Sequence, residues 1–200
     1  MGIIERRLRQ KEEVRNNILC TAWQMVKDEG WQSLSIRKIA DAIEYSAPVI
    51  YDHFENKEAI LQEFGKQGFE LLTKKLRVAK EKYDKPEDQL KAIADAYWNF
   101  AFKNKEYFQL MFSVGMQGCE VEKCIPERAV FRTLVMEPIE EIIKRNKNNK
   151  ANACLKYHTY WSIMHGLISI KMVADSEDTN QLNKMVLDDA IAGFIRNLEA

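Results

Sequence analysis

Apolar residues recur at intervals of three and four along almost the whole chain, and strand-like alternation is hard to find. That pattern predicts an all-α protein of about nine helices. Val14, Ile18, Ala22 and Met25 form the stripe of a first helix from about Lys11 to Glu29, and Gly30 stops it. Ser33 or Ser35 caps a second helix with Ile36, Ile39, Ala40 and Ile43 on its inner face. A break follows at Glu44-Tyr45, and then the stub "SAPVIYDHF", residues 46–54. Ser46 caps the stub, with Pro48 in its first turn, where a missing N–H costs nothing. Asn56 caps a long fourth helix ending near Tyr83. Asp84 and Glu87 read as a capping box around Pro86 for a fifth helix, which ends near Asn104. "KEYFQLMF" is a short sixth, and a loop with Gly115, Gly118 and Pro126 leads to a seventh that contains Pro138. Beyond the polar turn 144–152, an eighth helix spans about Ala153–Ala174 and a ninth about Thr179–Glu199.

Two short helices joined by a tight turn make a helix-turn-helix. The stub is short because it need only cross a major groove. Ile50 and Phe54, spaced i and i+4, face inward and tie it to the first two helices. Ser46, Ala47, Pro48, Val49, Tyr51, Asp52 and His53 are then left for DNA. Val49 suits a thymine methyl, and Tyr51 and His53 can donate to phosphates.

The segment "SLSIRKIADAIEYSAPVIYDHFENKEAIL" resembles the DNA-binding segment of the tetracycline-repressor (TetR) family. Ile39-Ala40, Ser46, Ile50, Tyr51, His53, Phe54, Asn56 and Lys57 match that family's pattern without gaps, over roughly residues 12–65. The resemblance implies that Ser35 and Arg37 sit near the DNA backbone or a base edge, and that Tyr51, His53 and Lys57 contact phosphates. Lys57 also stands at a helix N-terminus, which favours an anion. The pattern's turn glycine is Glu44 here, so the turn either takes an unusual backbone angle or changes shape.

Charge alters this picture. The whole chain balances 30 Lys and Arg against 30 Asp and Glu. Residues 1–60 hold 9 basic and 10 acidic side chains, about neutral, and Glu44 and Asp52 are acids near the DNA face. The basic residues concentrate at Arg6, Arg7, Arg9, Lys11 and Arg15, which form either an arm for backbone or minor groove or a frayed, solvated terminus.

From the fourth helix onward the chain is rich in rings and methionines. Trp98, Phe102, Phe108, Met111, Phe112, Phe131, Tyr157, Trp161 and His165 are the candidates for lining a cavity that accepts a small hydrophobic effector, with ordinary core as the other reading. "YWSIMHGL" is similar to the Trp-x-x-x-His-Gly signature of the family's WHG subgroup. Trp161 and His165 share a helix face; His165 is either a hydrogen-bonded structural histidine or a ligand contact, and Gly166 lets helices approach closely. The last helix is apolar over much of its circumference, which suits an isologous interface with a second copy. Gly166, Ile170, Met185, Ala190 and Phe194 are its expected residues.

No nucleophile elbow, phosphate loop, HExxH or dinucleotide fingerprint is present, and His53, His158 and His165 lack partners at metal-ligand spacing. Neither enzyme nor metal nor cofactor is therefore expected. Cys20, Cys119, Cys124 and Cys154 show no paired spacing and read as reduced core thiols. No apolar run approaches a bilayer span and no signal peptide opens the chain, so the cytoplasm, with no membrane, is the expected location.

The resulting expectation is a helix-turn-helix domain over residues 1–55 and a ligand-binding and dimerisation domain over residues 56–200. Together they would make a homodimeric transcription regulator, a repressor released from a pseudo-palindromic double-stranded operator by the effector. The alternative is an all-α small-molecule-binding protein whose helix-turn-helix no longer reads DNA.

Overall fold

The computed structural model describes residues 2–112, 126–147, 151–173 and 180–199. Those residues form nine α-helices and no strand. They are α1 (Ile3–Glu29), α2 (Ile36–Ala42), α3 (Ala47–Tyr51), α4 (Lys57–Lys80), α5 (Pro86–Lys103), α6 (Lys105–Phe112), α7 (Glu127–Arg145), α8 (Ala153–Val173) and α9 (Asn180–Glu199). One turn of 3-10 helix, Trp31–Ser33, lies between α1 and α2.

Two compact units emerge, and their division falls inside α4, between Gln67 and Gly68. The sequence placed it at residue 55. The first unit is residues 1–67 plus a returning segment that starts at Glu106, described as far as Phe112. Its core is Ile18, Ala22, Val26, Trp31, Leu34, Ile39, Ile50, Phe54, Ile60, Phe64 and Leu110. The returning helix α6 is built in by its rings and backbone. Tyr107 stacks on Trp23 at 4.2 Å, and Trp31 Nε1 donates to the Glu106 carbonyl at 2.8 Å.

Several helix ends follow local chemistry. Gly30 closes α1 with φ 82°, a left-handed angle that favours glycine, and its N–H donates to the Val26 carbonyl. Asn56 Oδ1 accepts from the Ala59 N–H at 2.8 Å and caps α4. Ser35 and Ser46 occupy the N-cap positions of α2 and α3 without a side-chain cap bond. The start of α1 differs from the sequence expectation. It forms two turns before Lys11, with the Glu5 carboxylate accepting from the Gly2 N–H at 3.0 Å, so the basic stretch is helix and not a frayed end.

The second unit holds the rest of α4 with α5, α7, α8 and α9. Leu90, Ile93, Ala94, Tyr97, Phe100 and Ala101 make the buried stripe of α5. Facing it are Phe131, Val135, Ile139 and Ile142 of α7, Tyr160, Met164 and Ile168 of α8, and Leu187 and Ile191 of α9. The Tyr160 hydroxyl donates to the Leu90 carbonyl at 2.5 Å. The expected Asp84–Glu87 capping box is absent: Lys85 is the N-cap of α5, and Glu87 pairs with Arg145 of α7 instead. That pairing holds the Glu87 carboxyl below its ordinary range. Cys20 and Cys154 are free thiols on the surface, not in the core, whereas Cys119 and Cys124 lie outside the described residues.

Candidate nucleic-acid interface

A five-residue helix is unstable alone. What keeps α3 in place is the first unit's core behind it. Ile50 is fully buried and Phe54 is 5 % exposed, as their spacing predicts. Burying one such side chain contributes about 2 kcal/mol. Arg15 of α1 lies 5.0 Å over the Phe54 ring and bonds Glu63 of α4 at 2.7 Å, so α1 and α4 both fix the end of the stub. The Pro48 and Ile50 carbonyls accept from the Asp52 and Phe54 N–H groups at 3.1 and 2.9 Å.

The turn before α3 settles how Glu44 is accommodated. Its φ is 59°, a left-handed angle that costs a side-chain-bearing residue about 1 kcal/mol. In return the turn keeps its tight form, with the Tyr45 N–H bonded to the Ala40 carbonyl at 2.9 Å. The strain is local, and the helix-turn-helix geometry survives the missing glycine.

With its back buried, α3 presents Ser46, Pro48, Tyr51 and Asp52 to solvent. Ala47 and Val49 are half-buried, and Ala47 packs partly against the core. Arg37 of α2 is exposed, while Ser35 and Lys57 are half-buried. The ten residues that the sequence assigned to DNA, Asp52 among them, thus lie in one unit, on or beside α2, α3 and the start of α4.

His53 departs from the rest. It faces a groove of about 1060 Å³ along α1, lined also by Gln10, Lys11, Asn17, Tyr45 and Asp52. Its Nδ1 is buried with no hydrogen-bond partner among the described residues. Burial first, and the nearby Lys11 charge second, hold this imidazole below its ordinary pKa. A neutral ring carries one N–H, so His53 can make one phosphate contact but adds no charge to it.

In the second unit, Phe131, Trp161 and His165 gather around Tyr97. The Tyr97 hydroxyl bonds His165 Nδ1 at 3.1 Å, Trp161 stacks on the His165 ring at 4.9 Å, and Phe131 lies 6.0 Å from the Tyr97 ring. Burial pushes the Tyr97 hydroxyl far up and the His165 imidazole down. His165 therefore has the structural hydrogen bond that its spacing allowed. Tyr97 was missed in the sequence, although it falls on the α5 stripe with Leu90 and Ile93. Tyr157 is buried, with Arg132 5.7 Å over its ring.

The other ring candidates do not join this cluster. Trp98 is half-buried against Phe102, and Phe102 is exposed, because α5 turns that edge away from its own core. Phe108, Met111 and Phe112 belong to the first unit, since α6 returns there. Among the expected dimer residues, Ile170 is 71 % and Met185 60 % exposed, and Gly166 and Ala190 are half-buried. Phe194 is instead a core residue, 6 % exposed and 5.3 Å from the Tyr160 ring. Among the described residues a Cβ at Gly166 would meet nothing within 4 Å, so none of them makes the close approach expected there.

Residues 18–64 match the family model described as "Bacterial regulatory proteins, tetR family". Residues 90–189, half of the chain, match "Tetracyclin repressor-like, C-terminal domain". The chain belongs to the TetR family. Its α2 and α3 form the helix-turn-helix within the segment that matches those bacterial regulatory proteins. The second description is of the tetracyclin repressor-like domain and does not name the WHG subgroup.

A curated relative, the HTH-type transcriptional activator FasR of Mycolicibacterium smegmatis, is 24% identical over 102 residues, 51% of this chain and 47% of FasR. That match spans about half the length of FasR. Two solved structures share the fold. One is a protein of unknown function from Rhodococcus sp. RHA1, 22% identical, covering 93% of this chain and 95% of that one at TM-score 0.76. The other is the regulator FadR of Bacillus subtilis in complex with stearoyl-CoA, 15% identical, covering 88% and 97% at TM-score 0.70. Among the described residues no three His, Cys, Asp or Glu side chains gather as metal ligands, and no helix is long and apolar enough to cross a membrane.

Proposed function

We propose that this TetR protein is a homodimer that represses transcription from a pseudo-palindromic operator and is released by a small hydrophobic effector of the acyl-thioester class. The observation that carries the DNA half is the division of α3. Ile50 and Phe54 are buried behind it, and Ser46, Pro48 and Tyr51 are free in front. On this reading Val49 touches a thymine methyl, while Tyr51, His53, Lys57, Ser35 and Arg37 hold the backbone or a base edge. The effector class is suggested by FadR, whose structure contains stearoyl-CoA. On this reading Phe131, Tyr157, Trp161 and His165 around Tyr97 are the rings that take an acyl chain, with the Tyr97–His165 pair as the polar group near its carbonyl.

The second copy is proposed to cover α8 and α9. Leu155, Ile170, Leu182, Met185 and Val186 are all large, apolar and well exposed there. Two α3 stubs one helical turn apart or more then read two half-sites, and a small change in their separation lowers affinity sharply. FasR is an activator, so the direction of regulation is tested separately from DNA binding.

The test is a gel shift on DNA upstream of the protein's own gene, with and without palmitoyl-CoA, beside a reporter fusion. The expected result is a retarded band that palmitoyl-CoA releases, with the reporter rising when the gene is deleted. A band that palmitoyl-CoA strengthens, or a reporter that falls, makes the protein an activator. The runner-up reading is a ligand-binding protein that has lost DNA recognition. The acids Glu44 and Asp52 beside α3 favour it, and a ligand bound without any retarded band would establish it.

A further inference from the structure

The first turns of α1 carry four basic side chains near α3. Residues 2–13 are exposed throughout, Val14 and Arg15 are half-buried, and Ile18 and Leu19 are buried. At 1.5 Å per residue, the exposed stretch carries α1 about 16 Å beyond its packed part. Arg6, Arg7, Arg9 and Lys11 stand on it against Glu5, Glu12 and Glu13. Helical spacing sorts these charges. Arg7, Lys11 and Arg15 follow at i, i+4 and i+8 and share the face that, lower down, packs on the core. Arg6, Arg9 and Glu13 lie on the opposite side of the helix, while Glu5 and Glu12 flank the row on the side of Leu19.

That face is anchored at its base, where Arg15 is held by Glu63 and lies over Phe54, the last residue of the stub. One turn up, Lys11 lines the groove shared with Tyr45, Asp52 and His53. One turn higher again is Arg7. Neither Arg7 nor Lys11 makes an ion pair with a described residue. Two unpaired cations, about 6 Å apart along the helix axis, therefore climb away from the end of α3.

We propose that Arg7 and Lys11 form a phosphate track that holds the DNA backbone flanking the half-site read by α3. The proposal rests on the DNA reading above and adds a contact surface to it. Charge complementarity and continuity with α3 select the occupant. Arg7 and Lys11 bring positive charge beside a reading surface that is otherwise neutral, and a polyanion already placed across α3 would run past them. Glu13 and Asp52 also line the groove and oppose a phosphate there, so the track lies along the overhanging face and not on the groove floor. Ile4 and Leu8 flank the row and leave an apolar edge. An anionic membrane surface is the competing partner.

The test uses the full chain and a random-sequence duplex, because phosphate contacts carry no sequence information. The log of the binding constant is followed against the log of salt concentration for wild type, for Arg7→Gln with Lys11→Gln, and for Arg6→Gln with Arg9→Gln. Both doubles remove two charges from the same two turns, and helicity by circular dichroism checks that the fold is kept. The row double is expected to flatten the slope by about two, while the outer double leaves it nearly unchanged. Equal flattening in both doubles would reduce the track to a general field and overturn it. An unchanged slope in the row double, while wild type binds, overturns it too. If that double instead loses binding to phosphatidylserine vesicles, the row belongs to a membrane surface. Wild type that binds no duplex even at low salt fails the DNA reading itself, and the track falls with it.

Discussion

Glu44 is where this chain departs most clearly from its family's pattern, and the departure is visible as a backbone angle. A left-handed φ of 59° on a side-chain-bearing residue is retained only because the turn around it is fixed from both sides. The Tyr45 N–H is tied back to the Ala40 carbonyl, and Ile43 and Ile50 are buried on either side. Glycine adopts that angle without strain, so Glu44→Gly should stabilise the protein by about 1 kcal/mol in urea unfolding. It also removes an acid beside α3 and should tighten DNA binding. Glu44→Ala separates the two effects: it should tighten binding to a similar extent without the gain in stability. Equal stability for wild type and both variants would mean that the turn carries no strain.

At the scale of the helix, burial divides the sequence's candidates for the dimer interface. Phe194 of α9 packs on Tyr160, whereas Met185 of the same helix and Ile170 of α8 are open to solvent. Met185→Arg should therefore yield a folded monomer by light scattering, with a melting temperature set by the monomer alone. Phe194→Arg should lower stability by several kcal/mol, since it buries an unpaired charge. A Met185→Arg protein that keeps the dimer mass would put the interface elsewhere. Helix existence was legible wherever the signals were local. "KEYFQLMF" is α6 to the residue, and Asn56 caps α4 as read. The i, i+4 pair Ile50 and Phe54 gave the buried side of α3 for the same reason. The start of α1 was not legible, because residues 3–13 have no core stripe and their helix continues into solvent. Nor was the Tyr97–His165 bond, which joins residues 68 apart in sequence.

At the scale of the molecule, the two units do not follow sequence order. Hydrophobic spacing shows that α6 has an apolar face but not which core receives it. Tyr107 and Leu110 of α6 close the core around Trp23, Trp31 and Phe64, and that return lies some forty residues beyond the point where α4 crosses from one unit to the next. An excised fragment of residues 1–67 should accordingly be far less stable than the same unit in the whole chain. Its Trp23 and Trp31 fluorescence should be red-shifted by exposure to water, and its amides should exchange faster. Supplying residues 105–112 on a flexible linker should restore much of the difference; a fragment as stable as the whole would show that α6 adds nothing. The return of α6 also restricts how such regulators can be recombined. A reading head cut at the end of the family's DNA-binding segment and joined to a foreign sensor leaves part of its own floor behind, in a stretch of chain that any sequence alignment would award to the sensor. Exchanges between relatives should succeed where the incoming sensor already carries an aromatic residue at the position of Tyr107, and fail elsewhere however well the two DNA-binding segments agree.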